Sequence, residues 1–243
     1  MIGIKTLKTL IIIPCYNERD TISELCKEVC SKTNHDIIVI NDCSTDDSKS
    51  ILQKGNIPHL NLPINLGIGG AVQTGYRFAI RNNYDIAVQL DGDGQHDPDW
   101  IDKVIAPIIQ GVADLTIGSR YIDKAGFQST VIRRVGIRFF TVLIYCLSGK
   151  KITDATSGFR AANRKTMQLF TKYYAADYPE PESNMHAIKN KLRVCEVPVK
   201  MRERQGGKSS ISAIKSVYYM LKVSIGIIIS VIKPKVKMTE LEV

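Results

Sequence analysis

Residues 85–95 read DIAVQLDGDGQ: a short apolar run, Asp85–Leu90, ends in a turn of acids, glycines and an amide, Asp91–Gln95. A run of that length closed by Asp and Gly reads as a buried strand. The same pattern recurs on both sides. Upstream, Leu7–Pro14 (LKTLIIIP), Asp36–Asn41 (DIIVIN) and Pro58–Leu62 are strand-like. Glu18–Ser31, a segment opened by the cap-rich Ser44–Asp47, and Gly67–Arg81 are helix-compatible. Downstream, Asp97–Gln110 reads as a helix opened by Asp97 and Pro98, and Leu115–Gly118 as a fifth strand. Such alternation predicts an α/β fold, a mainly parallel sheet flanked by helices on both faces. Ligands in these sheets gather beyond the carboxyl ends of the strands. The polar loops Cys15–Glu18, Asn41–Asp46, Asn65–Gly70 and Asp91–Gln95 lie where a site is expected.

The second half has a different texture. Val131–Leu147 is helix-like, with Arg133, Arg134 and Arg138 near its start, and Val194–Val199 resembles a further strand. Val217–Ile232 (VYYMLKVSIGIIISVI) is apolar but for Lys222, Ser224, Gly226 and Ser230, and Lys233, Lys235 and Lys237 follow it. A spanning helix wants about 20 apolar residues. The expectation is therefore a membrane-associating helix lying at or dipping into the interface.

The 243 residues are 44% hydrophobic and 23% charged, which excludes a wholly disordered or collagen-like chain. The net charge of +9 is unevenly placed: residues 1–119 carry 10 Lys/Arg against 15 Asp/Glu, so the basicity belongs to the second half. That surface favours an anionic partner. The six cysteines show no framework or zinc spacing and read as thiols of a reducing compartment. Met1–Lys8 leads into the first strand-like run without a signal-peptide pattern, so the cytosol or the cytosolic face of a membrane is expected.

In an extended chain, residues two apart project to one side. Asp91, Asp93 and Gln95 can thus present two carboxylates and an amide oxygen together, a hard-donor set suited to Mg²⁺ or Mn²⁺. Two look-alikes fail. A dinucleotide fingerprint starting at Gly67 needs glycine where Val72 stands, and a P-loop ending at Gly207-Lys208-Ser209 needs its first glycine where Arg202 stands. His96 reads as structural, with an apical metal contact as the alternative.

IIIPCYNE, VINDCSTDD, NLGIGGAVQTG, QLDGDGQHDP and DATSGFR, in this order, resemble the family 2 glycosyltransferases of GT-A fold, in the branch of dolichol- or polyprenyl-phosphate sugar synthases. The resemblance covers roughly residues 8–210. It implies a glycosyltransferase domain over 1–210, with a nucleotide-sugar half to about 119 and an acceptor half beyond, then the apolar helix and basic tail over 211–243. It also implies that Pro14, Tyr16 and Glu18 hold the nucleoside, that Asp42 contacts the base or ribose, and that Gly67 and Gly69 lie against substrate. Asp91, Asp93 and Gln95 match the branch's metal signature, and Pro198–Ser209 matches an element that sets Arg204 and Ser209 against the donor diphosphate. The branch usually has Lys after that Ser; here it is Ser210, with Lys208 nearby.

The implied reaction is inverting transfer of one sugar from a UDP- or GDP-linked donor to a polyprenyl phosphate at the cytosolic membrane face. Arg120, Arg133, Arg134, Arg138 and Arg160 are candidates to dock the acceptor phosphate, and Ser157 is expected to lie against substrate. The alternative acceptor is a hydroxyl of a growing glycan, which needs a carboxylate base. Within Tyr178-Pro179-Glu180-Pro181-Glu182, Glu182, followed by a helix-compatible stretch, is the expected base, and Glu180, bracketed by prolines, reads as a stiff loop. A small membrane-protein partner or a homo-oligomer fits the anchor. A non-catalytic basic module is disfavoured, because the acids of the first half would repel nucleic-acid phosphates.

Overall fold

Each apolar run of the first half becomes a strand. In the computed structural model, which describes residues 7–203 and 213–236, the strands are β1 (Thr9–Cys15), β2 (Asp36–Asn41), β3 (His59–Asn61), β4 (Ile86–Gln89), β5 (Leu115–Ser119), β6 (Arg160–Asn163) and β7 (Val194–Pro198). They form one sheet in the order β3-β2-β1-β4-β6-β5-β7. The first four strands are mutually parallel and β5 is parallel to β7, whereas β6 runs antiparallel between β4 and β5.

Strand alternation divides the core into two layers. On β1, Ile11 and Ile13 face a layer that holds Ile22, Leu25 and Val29 of α1 (Ile22–Lys32), Leu52 of α2 (Ser48–Lys54) and Val104 and Ile108 of α4 (Ile101–Ile109). Leu10 and Ile12 face the other layer, where α3 (Gly67–Arg81), α5 (Val131–Ser148), α6 (Arg164–Lys172), α7 (Pro179–Lys189) and α8 (Ala213–Ile232) pack. The acidic half therefore builds one face of the sheet, and the basic half most of the other.

Two elements have no counterpart in the sequence reading, β6 and α6, and α7 starts at Pro179, ahead of the helix-compatible stretch expected after Glu182. β6 is only RAAN, and α7 buries Ser183, Asn184 and His186 among its apolar residues, which erases the period that marks an amphipathic helix. The apolar C-terminal segment becomes α8. Its Val223 and Ile227 are buried, while Leu221, Ile225, Ile228 and Ile232 stand exposed. Among the described residues no helix is long and apolar enough to cross a membrane. All six cysteines are free; burial pushes the Cys15 thiol up to about 11 and that of Cys26 up to about 12, which keeps both protonated at neutral pH.

Candidate active site

Two cavities open beyond the carboxyl ends of the parallel strands, and the DGDGQ turn lies between them. The first, of about 530 Å³, is lined by Pro14 near the end of β1, Tyr16 and Glu18 after it, Asp42 after β2, Gly67 at the start of α3, and Asp91 and Asp93 after β4. Side-chain bonds between consecutive loops hold it open. Asn17, at φ +57°, accepts the Thr45 amide at 2.8 Å, and Ser48 Oγ accepts the Glu18 amide at 3.1 Å. The buried Asp42 carboxylate accepts the Leu66 amide at 2.7 Å, tying the end of β2 to the start of α3. Tyr16 is 48% exposed, a free aromatic face at the rim.

The turn is braced from beneath. Asp91 Oδ1 accepts from Gln89 Nε2 at 3.2 Å, and Asp93 Oδ1 accepts the Gln95 amide at 3.1 Å. The Asp91 amide donates to His96 Nδ1 at 3.0 Å, which leaves the ring proton on Nε2, 3.7 Å from Asp91 Oδ2. His96 is buried and stacked on Phe159 at 5.0 Å, and it also lines the second of the two cavities. A Cβ on Gly158 would sit 2.6 Å from Asp91 Oδ2, so glycine is what leaves room for this carboxylate. Among the described residues no three His, Cys, Asp or Glu side chains converge as a metal site. A cation here would use two carboxylates and the Gln95 amide oxygen, an all-oxygen set that fits a hard divalent ion.

The second cavity, of about 310 Å³, also has Asp91 in its wall, with Gln95, Arg120, Arg133, Ser157 and Glu180. Its apolar lining comes from Ile137 of α5 and from Tyr219 and Met220 of α8. Arg120 is held by the buried Asp154, which accepts from Nε at 2.7 Å and from Nη2 at 2.8 Å. Burial works against the guanidinium charge, but Asp154 outweighs it and holds Arg120 protonated. Glu196 on β7 accepts the Thr153 and Asp154 amides at 2.7 and 2.8 Å, fixing that anchor in turn. Burial pushes the Glu180 carboxyl up, with the Asp91 charge adding to it and Arg160 opposing.

Three expected residues are placed otherwise. Glu182 turns to α8 and pairs with Lys233 at 3.6 Å, so it does not line the second cavity; Glu180 does. Arg160 is fully buried, and its guanidinium is spent on Ser157 O at 2.7 Å and Ser183 Oγ at 2.8 Å, so it braces the wall rather than meeting a ligand. Gly69 lines neither cavity: a Cβ there would stand 1.8 Å from Ala175 O, and the glycine serves close packing of α3 on the 175–178 segment. Ser157 is nearly buried, with its hydroxyl given to Gly118 O at 2.7 Å. Arg204 and Ser209 lie outside the described residues. Ile68 and Tyr178, neither of them an expected site residue, line both cavities.

The family model for glycosyl transferase family 2 matches residues 10–170. The chain is a family 2 glycosyltransferase. It is 31% identical over 210 residues to a UDP-N-acetylglucosamine–dolichyl-phosphate N-acetylglucosaminyltransferase of Methanococcus voltae, covering 78% of this chain and 84% of that protein. It is 29% identical over 236 residues to a polyprenol monophosphomannose synthase of Mycolicibacterium smegmatis, covering 90% and 86%. These similarities place the family 2 enzyme in the branch of polyprenyl-phosphate sugar synthases. Its fold is also similar to glucosyl-3-phosphoglycerate synthase of Mycobacterium tuberculosis solved with Mn²⁺, UDP-glucose and phosphoglyceric acid: TM-score 0.74 at 16% identity, over 94% of this chain and 81% of that one.

Proposed function

We propose that this glycosyltransferase moves one sugar, with inversion, from a nucleoside diphosphate to a polyprenyl phosphate. The observation that carries the reading is the second cavity: one lining carboxylate belongs to the DGDGQ turn, two arginines line its wall, and its apolar lining comes from α5 and α8. A phosphate headgroup suits the arginines and an isoprenoid chain suits the helices. Tyr16, Glu18 and Asp42 would hold the nucleoside in the first cavity. Asp91, Asp93 and Gln95 would hold Mg²⁺ or Mn²⁺, which when bound neutralises charge developing on the leaving diphosphate. Arg204 and Ser209 are proposed to meet that diphosphate as well.

In the transfer, an acceptor phosphate oxygen supplies the electron pair for a new bond to the anomeric carbon. The old bond breaks and the nucleoside diphosphate leaves with its pair. No proton has to move, so no base is required. Arg120, locked by Asp154, would orient the acceptor phosphate, with Arg133 beside it. A hydroxyl acceptor is the second reading, and Glu180 in the cavity wall is the observation that favours it.

The membrane setting rests on a two-helix face. Val135, Phe139, Val142 and Tyr145 of α5 are exposed, as are Leu221, Ile225, Ile228 and Ile232 of α8, and α5 packs against α8. Arg134, Arg138, Lys222 and Lys235 lie on or just beyond these helices, the pattern of an interfacial attachment to anionic lipid on the cytosolic face. The test is incubation with labelled UDP- and GDP-sugars, undecaprenyl or dolichyl phosphate and Mn²⁺. A labelled glycolipid with one donor is expected; none with any donor overturns the reading.

A further inference from the structure

The transferred sugar has to lie where the donor and acceptor cavities meet, because its anomeric carbon must reach both the leaving diphosphate and the incoming nucleophile. Three residues line both cavities: Asp91, Ile68 and Tyr178. Asp91 belongs to the turn already described. Ile68, in the first turn of α3, and Tyr178, just before α7, are not among the residues proposed to hold nucleoside, diphosphate or acceptor phosphate. We propose that Tyr178, together with Ile68, reads the transferred sugar and sets which nucleotide sugar this enzyme uses, an inference that rests on the proposed transferase function.

The backbone singles Tyr178 out. It sits at φ +49°, ψ +57°, a left-handed conformation that a bulky residue adopts only when its surroundings over-determine it. Those surroundings are visible. Two residues earlier, Ala176 O accepts the Gly69 amide at 2.9 Å, pinning the segment to the start of α3. Asp177 pairs with Lys222 of α8, and Pro179 is buried at the first position of α7. The ring itself is held edge-to-face by Tyr219 of α8, with centroids 4.4 Å apart. The segment is thus fixed from α3, α7 and α8, and the strained turn presents a half-buried phenol at the junction of the cavities.

The chemistry suits a pyranose. A sugar ring offers an apolar C–H face and a rim of hydroxyls, while a tyrosine offers an aromatic face and one hydroxyl that donates and accepts. Ile68, 37% exposed, adds an apolar surface that favours some substituents by shape. Selection by a built polar contact is steeper than selection by apolar shape. Tyr178 should therefore weigh more than Ile68.

The decisive experiment compares affinity for nucleotide sugars with affinity for the bare nucleoside diphosphate, using a panel of UDP- and GDP-linked sugars with Mn²⁺ and no acceptor. Variants are Tyr178→Phe, Tyr178→Asn and Ile68→Ala; asparagine is included because it tolerates the left-handed backbone and keeps the turn folded. For Tyr178→Asn, affinity for the preferred nucleotide sugar should fall about tenfold or more and its advantage over the next donor should shrink about as much, with nucleoside diphosphate binding unchanged. Ile68→Ala should show a smaller shift, and Tyr178→Phe should lose only what the hydroxyl contributes. Unchanged donor ratios in both Tyr178→Asn and Ile68→Ala would overturn the inference. Failure of every nucleoside diphosphate and nucleotide sugar to bind the wild type would overturn the transferase reading instead, so the two failures are distinguishable.

Discussion

The two cavities of this enzyme share Asp91 yet are built by different means. The donor-side cavity is made by loops that follow successive parallel strands, each tied to the next by one or two side-chain bonds, as Asn17 ties to Thr45 and Asp42 to Leu66. The acceptor-side cavity draws on a loop after β5, the starts of α5 and α7, and α8, segments far apart in sequence that only the full fold brings together. The first is a property of the α/β repeat. The second is a property of the antiparallel strand β6 and the helices packed beside it.

That contrast can be broken most severely at the one carboxylate common to both sides. Asp91→Ala should abolish transfer, a loss of at least about 10²–10³-fold in kcat, as should Asp93→Ala, with metal-dependent nucleotide binding lost in parallel. Binding and turnover measured over a Mn²⁺ titration check this. Retention of more than a tenth of wild-type kcat in Asp91→Ala would remove the shared-carboxylate account.

The next largest effect separates the sides. Arg120→Ala should raise the KM for lipid phosphate about 10–100-fold and leave the KM for the nucleotide sugar nearly unchanged, because a lost charge-assisted contact costs about 1.5–3 kcal/mol. Equal rises in both KM values would mean that Arg120 does not belong to the acceptor side. Glu180→Gln sharpens the chemistry there. Transfer to a phosphate should survive within about threefold, whereas a base for a hydroxyl acceptor would be missed by about 10²-fold or more. Glu182→Gln should leave both KM values alone and cost about 0.5 kcal/mol in a urea melt, the worth of its partly exposed pair with Lys233.

A smaller effect concerns stability of the acceptor side alone. His186, on α7 against α8, has its pKa lowered from 6.5 to about 4, first by burial and then by the charges of Lys233 and Lys189. The unfolded chain takes up this proton near pH 6.5 and the folded chain does not until about pH 4. The contribution is complete above pH 6.5 and drains away as the pH falls through that window, by about 3 kcal/mol in all. Denaturant unfolding of wild type and His186→Gln at pH 7.5 and pH 5 should show a steeper acid loss in wild type. Parallel losses would show that His186 takes up its proton alike in both states.

Legibility in the sequence followed the same divide. β2 and α3 begin and end at the residues expected, Asp36–Asn41 and Gly67–Arg81, because each is a local pattern of apolar spacing and cap residues. The donor-side acids sit after strands, so a motif and a strand end suffice to place them. On the acceptor side local pattern misleads. Glu180 reads as a proline-stiffened loop ahead of a helix-compatible stretch after Glu182, but Pro179 already opens the helix, and residues two apart on a helix point about 200° from each other. Hence Glu180 enters the cavity and Glu182 meets α8. Arg160 is similar: within a motif it reads as a phosphate ligand, and only pairing of β6 against β4 shows that it points into the core. Tyr178 stands in an element noted for its acids, but neither its neighbours nor its spacing marks a left-handed turn.

The central claim is that the acceptor nucleophile is a phosphate at the end of an isoprenoid chain. The most direct measurement is the initial rate of labelled-sugar transfer, with Mn²⁺ and the preferred nucleotide sugar, to undecaprenyl phosphate and to undecaprenol, which differ only in that headgroup. The account predicts a glycolipid from the phosphate, made also by Glu180→Gln, and none from the alcohol. Transfer to the alcohol, or to a glycan hydroxyl, that disappears in Glu180→Gln would contradict it.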